Sequence, residues 1–549
     1  MIAKNLVRLG EGAGTSRAWL EPAYDLAERG QLDFLLFECL AERTIAFAQL
    51  ERLAKPDAGY DPLLLTRLRG VLAPCYRQGT RILTNAGAAN PPAAGRLVVD
   101  LARSLGLRGL RVGVVTGDDV LALLDLDALV ASETGRPLRE LEGRIVSANA
   151  YLGAGPLAEA LGEGAHVVVG GRIADPCLAL AALRHSFGWG ESDWGLLGAG
   201  IAVGHLTECG PQVTGGYFAD PGRRDVPDLA HIGYPVAECR ADGTAVVTKL
   251  PGTGGLVSVA TCTEQLLYEV HDPSAYFTPD VIADFSNVRF AQEGPDRVRV
   301  QGAGGLPAPA TLKVAVGYRD GYIGEAQLSY GGTGPPGGRG SGRAGAADGC
   351  ALPGAAGRAA GRQLPLRRRS AAPRRAARGT GAGGRAYGHF RRGRLGGQPQ
   401  RRPDPGRSLW RRRHLPLGAR GHRHRLGLPA PRAGAAAGRD SGGVAMRRKL
   451  RDLAHARAGD KGDISSIVLV VDDPAHYDLV RQQVTPQRVK EWFGALVKGE
   501  VQRYEVPQLG VLNFVCHRAL FGGVTRSLAV APHGKSRGAL LLEMEVDLP

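Results

Sequence analysis

A mainly parallel α/β sheet covered by helices, joined to a small α+β domain of ferredoxin-like kind, is the fold this 549-residue chain predicts. Three observations lead there. Short β-rich apolar runs alternate with amphipathic stretches through the first third of the chain. From about Gly243 the runs shorten and follow one another directly, the texture of an antiparallel or mixed extension. A last block, from Arg447, starts again with strands and helices of its own.

In the first region, strand-like runs fall at Asn5–Leu9, Asp33–Phe37, Arg81–Thr84, Arg111–Val115 and Ala165–Val169. Glu21–Arg29, Ala41–Ala54 and Ala93–Leu105 carry apolar residues at helical spacing between them. Strand, turn, helix and strand in repetition give parallel pairing. An open sheet and a closed barrel both satisfy the pattern, and in either the loops after the strand C-termini build the site. The second region reads as strands at Ala245–Leu250, Leu256–Thr261, Val298–Val300, Thr311–Tyr318 and Glu325–Tyr330, with one helical stretch at Glu264–Val270. In the last block, Ile464–Val471, Val501–Val506, Val511–Cys516 and Gly538–Val546 read as strands. They flank helices Ala475–Gln483 and Pro486–Lys498, with Pro474 and Pro486 placed for a first helical turn.

Between these parts the composition breaks. Residues 332–446 hold 25 Arg and 27 Gly in 115 positions, with no Lys, Glu, Ile or Asn. Arg, Gly, Ala and Pro are the residues of G/C-only codons, which points to out-of-frame translation of a G/C-rich gene with the frame restored near Arg447. A genuine Arg/Gly-rich nucleic-acid-binding tract is the alternative. Three domains follow: an α/β domain over 1–331, truncated at its end; a disordered segment over 332–446; and a ferredoxin-fold domain over 447–549. The segment contributes +22 of charge against a chain total of +16, so the remaining 434 residues carry −6. The basic balance is therefore no argument for nucleic acid.

The eight cysteines are scattered without a CxxC pair, which argues against a disulfide framework and a zinc knuckle. The opening MIAKNLVRLGEG lacks an apolar signal core, and no run approaches a membrane span, so a cytoplasmic protein is expected.

Several loops could carry chemistry. In Gly10–Ser16, Gly12 and Gly14 would let backbone N–H groups approach an anion, although the spacing is neither Walker A nor GxGxxG. Glu38 ends a buried strand and needs a partner, Arg43 being the local one, in either a structural pair or a catalytic one; Cys39 has no neighbouring His to activate it. Asn85 offers an amide for orienting a polar ligand. Asp118 and Asp119 suit helix N-caps, or a cation or acid/base work. Arg172 is placed to meet a phosphate or carboxylate, and Asp175 before Pro176 suits an N-cap. His205 and Glu208, three apart, would share a helical face as an acid/base pair, next to Cys209. Lys249 precedes a glycine turn suited to an anion. Finally, His455–Asp463 crowds His455, Arg457, Asp460, Lys461 and Asp463 around two glycines, as a binding or catalytic loop would. Arg457 and Lys461 would hold an anionic group, Asp463 would assist catalysis, and His205 or Glu208 would move a proton. Both clusters are expected to border one cleft between the two modules.

The stretches ECLAERT (38–44), TNAGAANP (84–91), GGRIADP (170–176), HLTECGPQVTGGYFAD (205–220), KLPGTGG (249–255), TEQLLYEVHDP (263–273) and HARAGDKGDISS (455–466) together resemble the acyclic terpene utilisation protein AtuA family. The match is collinear over 1–331 and about 447–549, with the Arg/Gly tract standing where the family has ordinary α/β sequence. The resemblance implies a large AtuA domain, a smaller ferredoxin-fold domain, and a link to breakdown of citronellol- or geraniol-type terpenes. That route runs through branched acyl-CoA thioesters and a biotin-dependent carboxylase. No reaction, cofactor or metal follows from it. Three functions compete: an enzyme acting as a lyase, hydratase or hydrolase on an acyl-CoA or similar anionic small molecule; a non-catalytic accessory or scaffold protein of the carboxylase pathway; and a nucleic-acid binder if the tract is genuine. A homo-oligomer is compatible with each.

Overall fold

The computed structural model describes residues 5–132, 135–322, 408–411, 414–416 and 446–548. The expected strand Glu325–Tyr330 and most of the Arg/Gly tract lie outside them. Inside the tract, Ser408–Arg411 and His414–Pro416 are strands, the latter antiparallel to Lys313–Tyr322.

One nine-stranded sheet organises the N-terminal part. In spatial order its strands are Arg289–Gly294, Arg297–Gln301, Ala245–Lys249, Pro235–Cys239, Val7–Gly14, Phe34–Glu38, Arg81–Thr84, Val167–Val169 and Val112–Val114. The last five pair in parallel, and the first four are added to Val7–Gly14 antiparallel. Open-sheet geometry thus settles the choice against a barrel, and the antiparallel extension begins at Pro235. The parallel strands are apolar on both faces, as strands buried on both sides must be. Leu9, Leu36, Leu83 and Val168 join the core under the helices Cys177–Phe187 and Trp194–Thr207, whereas Leu35, Ile82 and Val167 face the helices Glu21–Arg29, Leu64–Gln78 and Pro91–Ser104. Trp194–Thr207 is apolar almost all round and is buried accordingly.

Two expected elements change type. Leu256–Thr261 is no strand: the Ser258 side chain accepts from the Thr261 N–H and Thr261 reaches back, so a capping box starts the helix Val259–Leu266. Gly538–Val546 divides into the helix Arg537–Leu541 and the strand Glu545–Leu548.

The C-terminal domain is an antiparallel sheet in the order Ala454–Lys461, Ile464–Val471, Val511–Cys516, Val501–Val506, with Tyr477–Gln483 and Pro486–Phe493 connecting Ile464–Val471 to the edge strand Val501–Val506 and a side ribbon pairing Met446–Lys449 with Glu545–Leu548. This domain and the nine-stranded sheet belong to one compact unit. The charged stretch expected as a loop is therefore a strand. Its backbone pairs from Ala454↔Val471 to Lys461↔Ile464, and only Gly462 (φ +63°) and Asp463 make the turn. Charge density misled the reading, because the strand's polar side chains are directed at another part of the protein rather than at solvent.

Candidate functional site

Strand periodicity explains how that segment works. In Ala454–Lys461, residues 455, 457, 459 and 461 share one face. Arg457 Nη1 meets Gln265 Oε1 at 3.5 Å, and Lys461 pairs with Glu269. Gly459 lies between them against Glu269, where an added Cβ would come within 2.2 Å of the Glu269 side chain. Glycine is needed at 459 so that the two halves can approach this closely. Glu269 also accepts from Lys535 Nζ at 2.9 Å, and its own backbone is left-handed at φ +60°. Burial opposes its charge, but the two lysines outweigh it and hold the carboxyl well below its usual range.

Behind this network lie His205, from the last turn of Trp194–Thr207, and Glu208, which caps that helix. His205 Nδ1 is 3.0 Å from Glu208 Oε1, and Nε2 is 3.1 Å from the Tyr268 carbonyl oxygen. A carbonyl only accepts, so Nε2 carries its hydrogen and one proton lies between Nδ1 and Oε1. Both ring nitrogens are committed, which leaves Glu208 Oε2, buried and without a hydrogen-bond partner, as the free acid/base atom of the pair. Burial, partly offset by His205, raises the Glu208 pKa; Asp175 raises it further and Lys461 lowers it.

The same space opens onto the C-terminal ends of the parallel strands. Glu38 Oε1 accepts from Leu40 N at 2.8 Å and Asn85 Nδ2 at 3.2 Å; burial, then the Asp175 carboxylate, pushes Glu38 up to about 8. Arg172 pairs with Asp175 and lies over the Tyr151 ring, 4.6 Å from its centroid. Lys313 lies over the same ring and reaches Glu42 at 3.4 Å, and burial brings its pKa down to about 8. Asp175, Lys313 and Lys461 keep 36%, 37% and 35% of their side-chain surface open, although protein surrounds each of them. That combination describes a recessed, water-accessible cleft lined with charge.

Several expected site residues serve other ends. Gly12 and Gly14 are inside a strand and cradle no anion: a Cβ at Gly12 would strike the Phe37 ring, and one at Gly14 the Cys209–Gly210 backbone. Asn85 supports Glu38 and accepts from Cys39 N at 2.7 Å. Arg172 is committed to Asp175 and to the carbonyls of Leu40 and Ile173. Lys249 bonds the Thr253 carbonyl at 2.7 Å and Asp296 at 3.1 Å, outside the cleft. Asp463 accepts from Leu520 N and Gly522 N, both at 2.9 Å, and so fixes a loop. Asp118 accepts from Asn149 and Arg172 N rather than capping a helix, and Pro176, not Asp175, precedes Cys177–Phe187. Burial pushes the Cys39 and Cys209 thiols well up, so neither is a thiolate nucleophile. Gln265, Tyr268 and Glu269, within the quoted TEQLLYEVHDP, were not singled out; their burial on a short helix end gives no signal in sequence alone.

A separate cavity of about 440 Å³, lined by residues including Trp19, Leu26, Tyr234 and Leu250, lies away from these charges. Among the described residues there is no group of three or more His, Cys, Asp or Glu able to hold a metal, and no helix long and apolar enough to cross a membrane.

An open α/β sheet with a charged cleft at its strand ends, completed by a small α+β domain, defines the class of protein. The chain belongs to the acyclic terpene utilisation family AtuA: that family's model matches residues 7–335, and the model of the AtuA ferredoxin-like domain matches residues 448–547. Membership implies a part in acyclic terpene utilisation. No curated protein and no solved structure matches the chain.

Proposed function

We propose that this protein is an enzyme of branched acyl catabolism that binds an anionic acyl metabolite, a CoA thioester or its acid, in the charged cleft. Glu208 moves the proton, with His205 fixing its orientation, and Arg457 and Lys461 supply positive charge. The observation that carries the reading is the enclosed but water-accessible set Asp175, Lys313 and Lys461 beside the unpartnered Glu208 oxygen. Titratable groups pushed away from their ordinary pKa values in one recess favour catalysis over a merely structural network. The test is titration of the full chain with 3-methylbut-2-enoyl-CoA, with turnover followed by mass spectrometry. Micromolar-range binding with turnover is the expected result. Binding without turnover would favour an accessory protein, and absence of both would sink the proposal.

We further propose that residues 332–446 are translated out of frame. Their gene sequence, read one or two bases over, is expected to yield Ile-, Glu- and Lys-containing α/β sequence. Stop codons or the same Arg/Gly bias in both other frames would overturn this.

A further inference from the structure

Arg457 is satisfied on three sides and unsatisfied on the fourth. Its guanidinium carbon lies over two aromatic rings, 3.8 Å from the Tyr268 centroid and 4.5 Å from that of Tyr217. Nη1 meets Gln265 Oε1, and Gln265 is itself anchored by donating to the His205 carbonyl at 2.9 Å. Nε and Nη2 have no hydrogen-bond partner and are shut off from solvent, in a residue only 6% exposed. By the covalent geometry of arginine, the Nε–H and one Nη2–H point in parallel from the same edge, the fork that accepts two oxygens of one planar anion. Leaving two charged donors buried and unmet costs free energy, which a ligand would recover.

We propose that this edge is the slot for a single carboxylate group of the substrate, reached when Tyr217 swings aside. The inference rests on the anionic-metabolite reading above and narrows it to the acid rather than the thioester: Arg457, not Lys461, receives the free carboxylate of the acid. Three features favour a carboxylate over a phosphate. The two unmet donors lie in the guanidinium plane, side by side, which suits a planar group better than a tetrahedral one. The two nearby lysines are already engaged by Glu269, and Lys535 also faces Asp460 at 3.7 Å, so little positive charge is left for a dianion. Glu269 and Glu208 themselves add negative charge around Cys209, next to Arg457. The cover is movable in kind: Tyr217 is 58% exposed and lies in a turn after Gly215 (φ +96°).

The experiment is calorimetric titration of the full chain with 3-methylbut-2-enoate, its neutral amide and inorganic phosphate. The acid is expected to bind, with the amide and phosphate weaker by about tenfold or more. Arg457→Lys, which keeps the charge but loses the fork, is expected to weaken acid binding by about tenfold or more without lowering Tm. Equal binding of acid and amide, equal binding of phosphate, or unchanged acid affinity in Arg457→Lys would each overturn the slot. Because the comparison of the three probes uses the unaltered chain, it holds even if the variant does not fold. Turnover of 3-methylbut-2-enoyl-CoA that persists while the acid fails to bind would sink the slot alone; loss of both would sink the broader proposal as well.

Discussion

Glu208→Gln is expected to lower turnover of a bound branched acyl-CoA by about 100-fold or more, while its Kd changes by less than about threefold. Glutamine keeps the hydrogen bond, because its amide can donate to His205 Nδ1 where the carboxyl did, but it has no proton to exchange. The fold should not suffer. A carboxyl whose pKa is raised by burial favours the folded state less as pH rises through that raised value, so the neutral amide removes a liability at neutral pH. Turnover by mass spectrometry, with solvent deuterium sought in the acyl group, reads the result. A variant that turns over at the wild-type rate would place the proton elsewhere, with Glu38 the next candidate.

Glu269→Gln is expected to cost about 2 kcal/mol of stability at neutral pH, read by urea unfolding. The value is set below the usual cost of breaking a buried pair because Lys461 and Lys535 are each about a third exposed and partly screened. The pH dependence has a definite sign. The Glu269 pKa is depressed in the folded state, so its contribution is complete above the unfolded value of about 4.3 and is lost as pH falls through the lower folded value. The difference between wild type and variant should therefore shrink on acidification and remain flat between about pH 6 and 8. A difference that grows toward low pH would show that Glu269 is not held by the lysines.

Much of the sheet was legible because its signals are local. Arg81–Thr84, Ile464–Val471, Val501–Val506, Val511–Cys516 and the helix Glu21–Arg29 fall where periodicity puts them. The helix Leu64–Gln78 went unread, with Pro74 inside it, as did Cys177–Phe187, whose unbroken apolar run from Cys177 to Leu183 hides its period. The site divided along the same line. His205, Glu208, Arg457 and Lys461 were visible as polar residues in unusual company, and the structure brings them together. Gly12 and Gly14 misled because a glycine that makes room for a neighbouring ring or backbone reads the same in sequence as one that makes room for a phosphate. Glu269 was hidden because its role depends on two lysines, Lys461 and Lys535, from separate segments far along the chain. The alternation His455, Arg457, Gly459, Lys461 could have revealed a strand face, had charge not been read as loop.

The Lys461–Glu269 pair joins residues 192 positions apart. A closure of that span ranks late in folding, since the ends of a long loop must meet before any contact between them is gained. The His205–Glu208 pair is local to one helix end, so it is the Arg457 guanidinium that reaches it only when the C-terminal domain docks. Loop-closure entropy grows only with the logarithm of length, about 0.6 kcal/mol for each doubling. What occupies the middle of that span thus has small thermodynamic leverage on docking, and two polypeptides divided within it should be able to reconstitute the cleft by association.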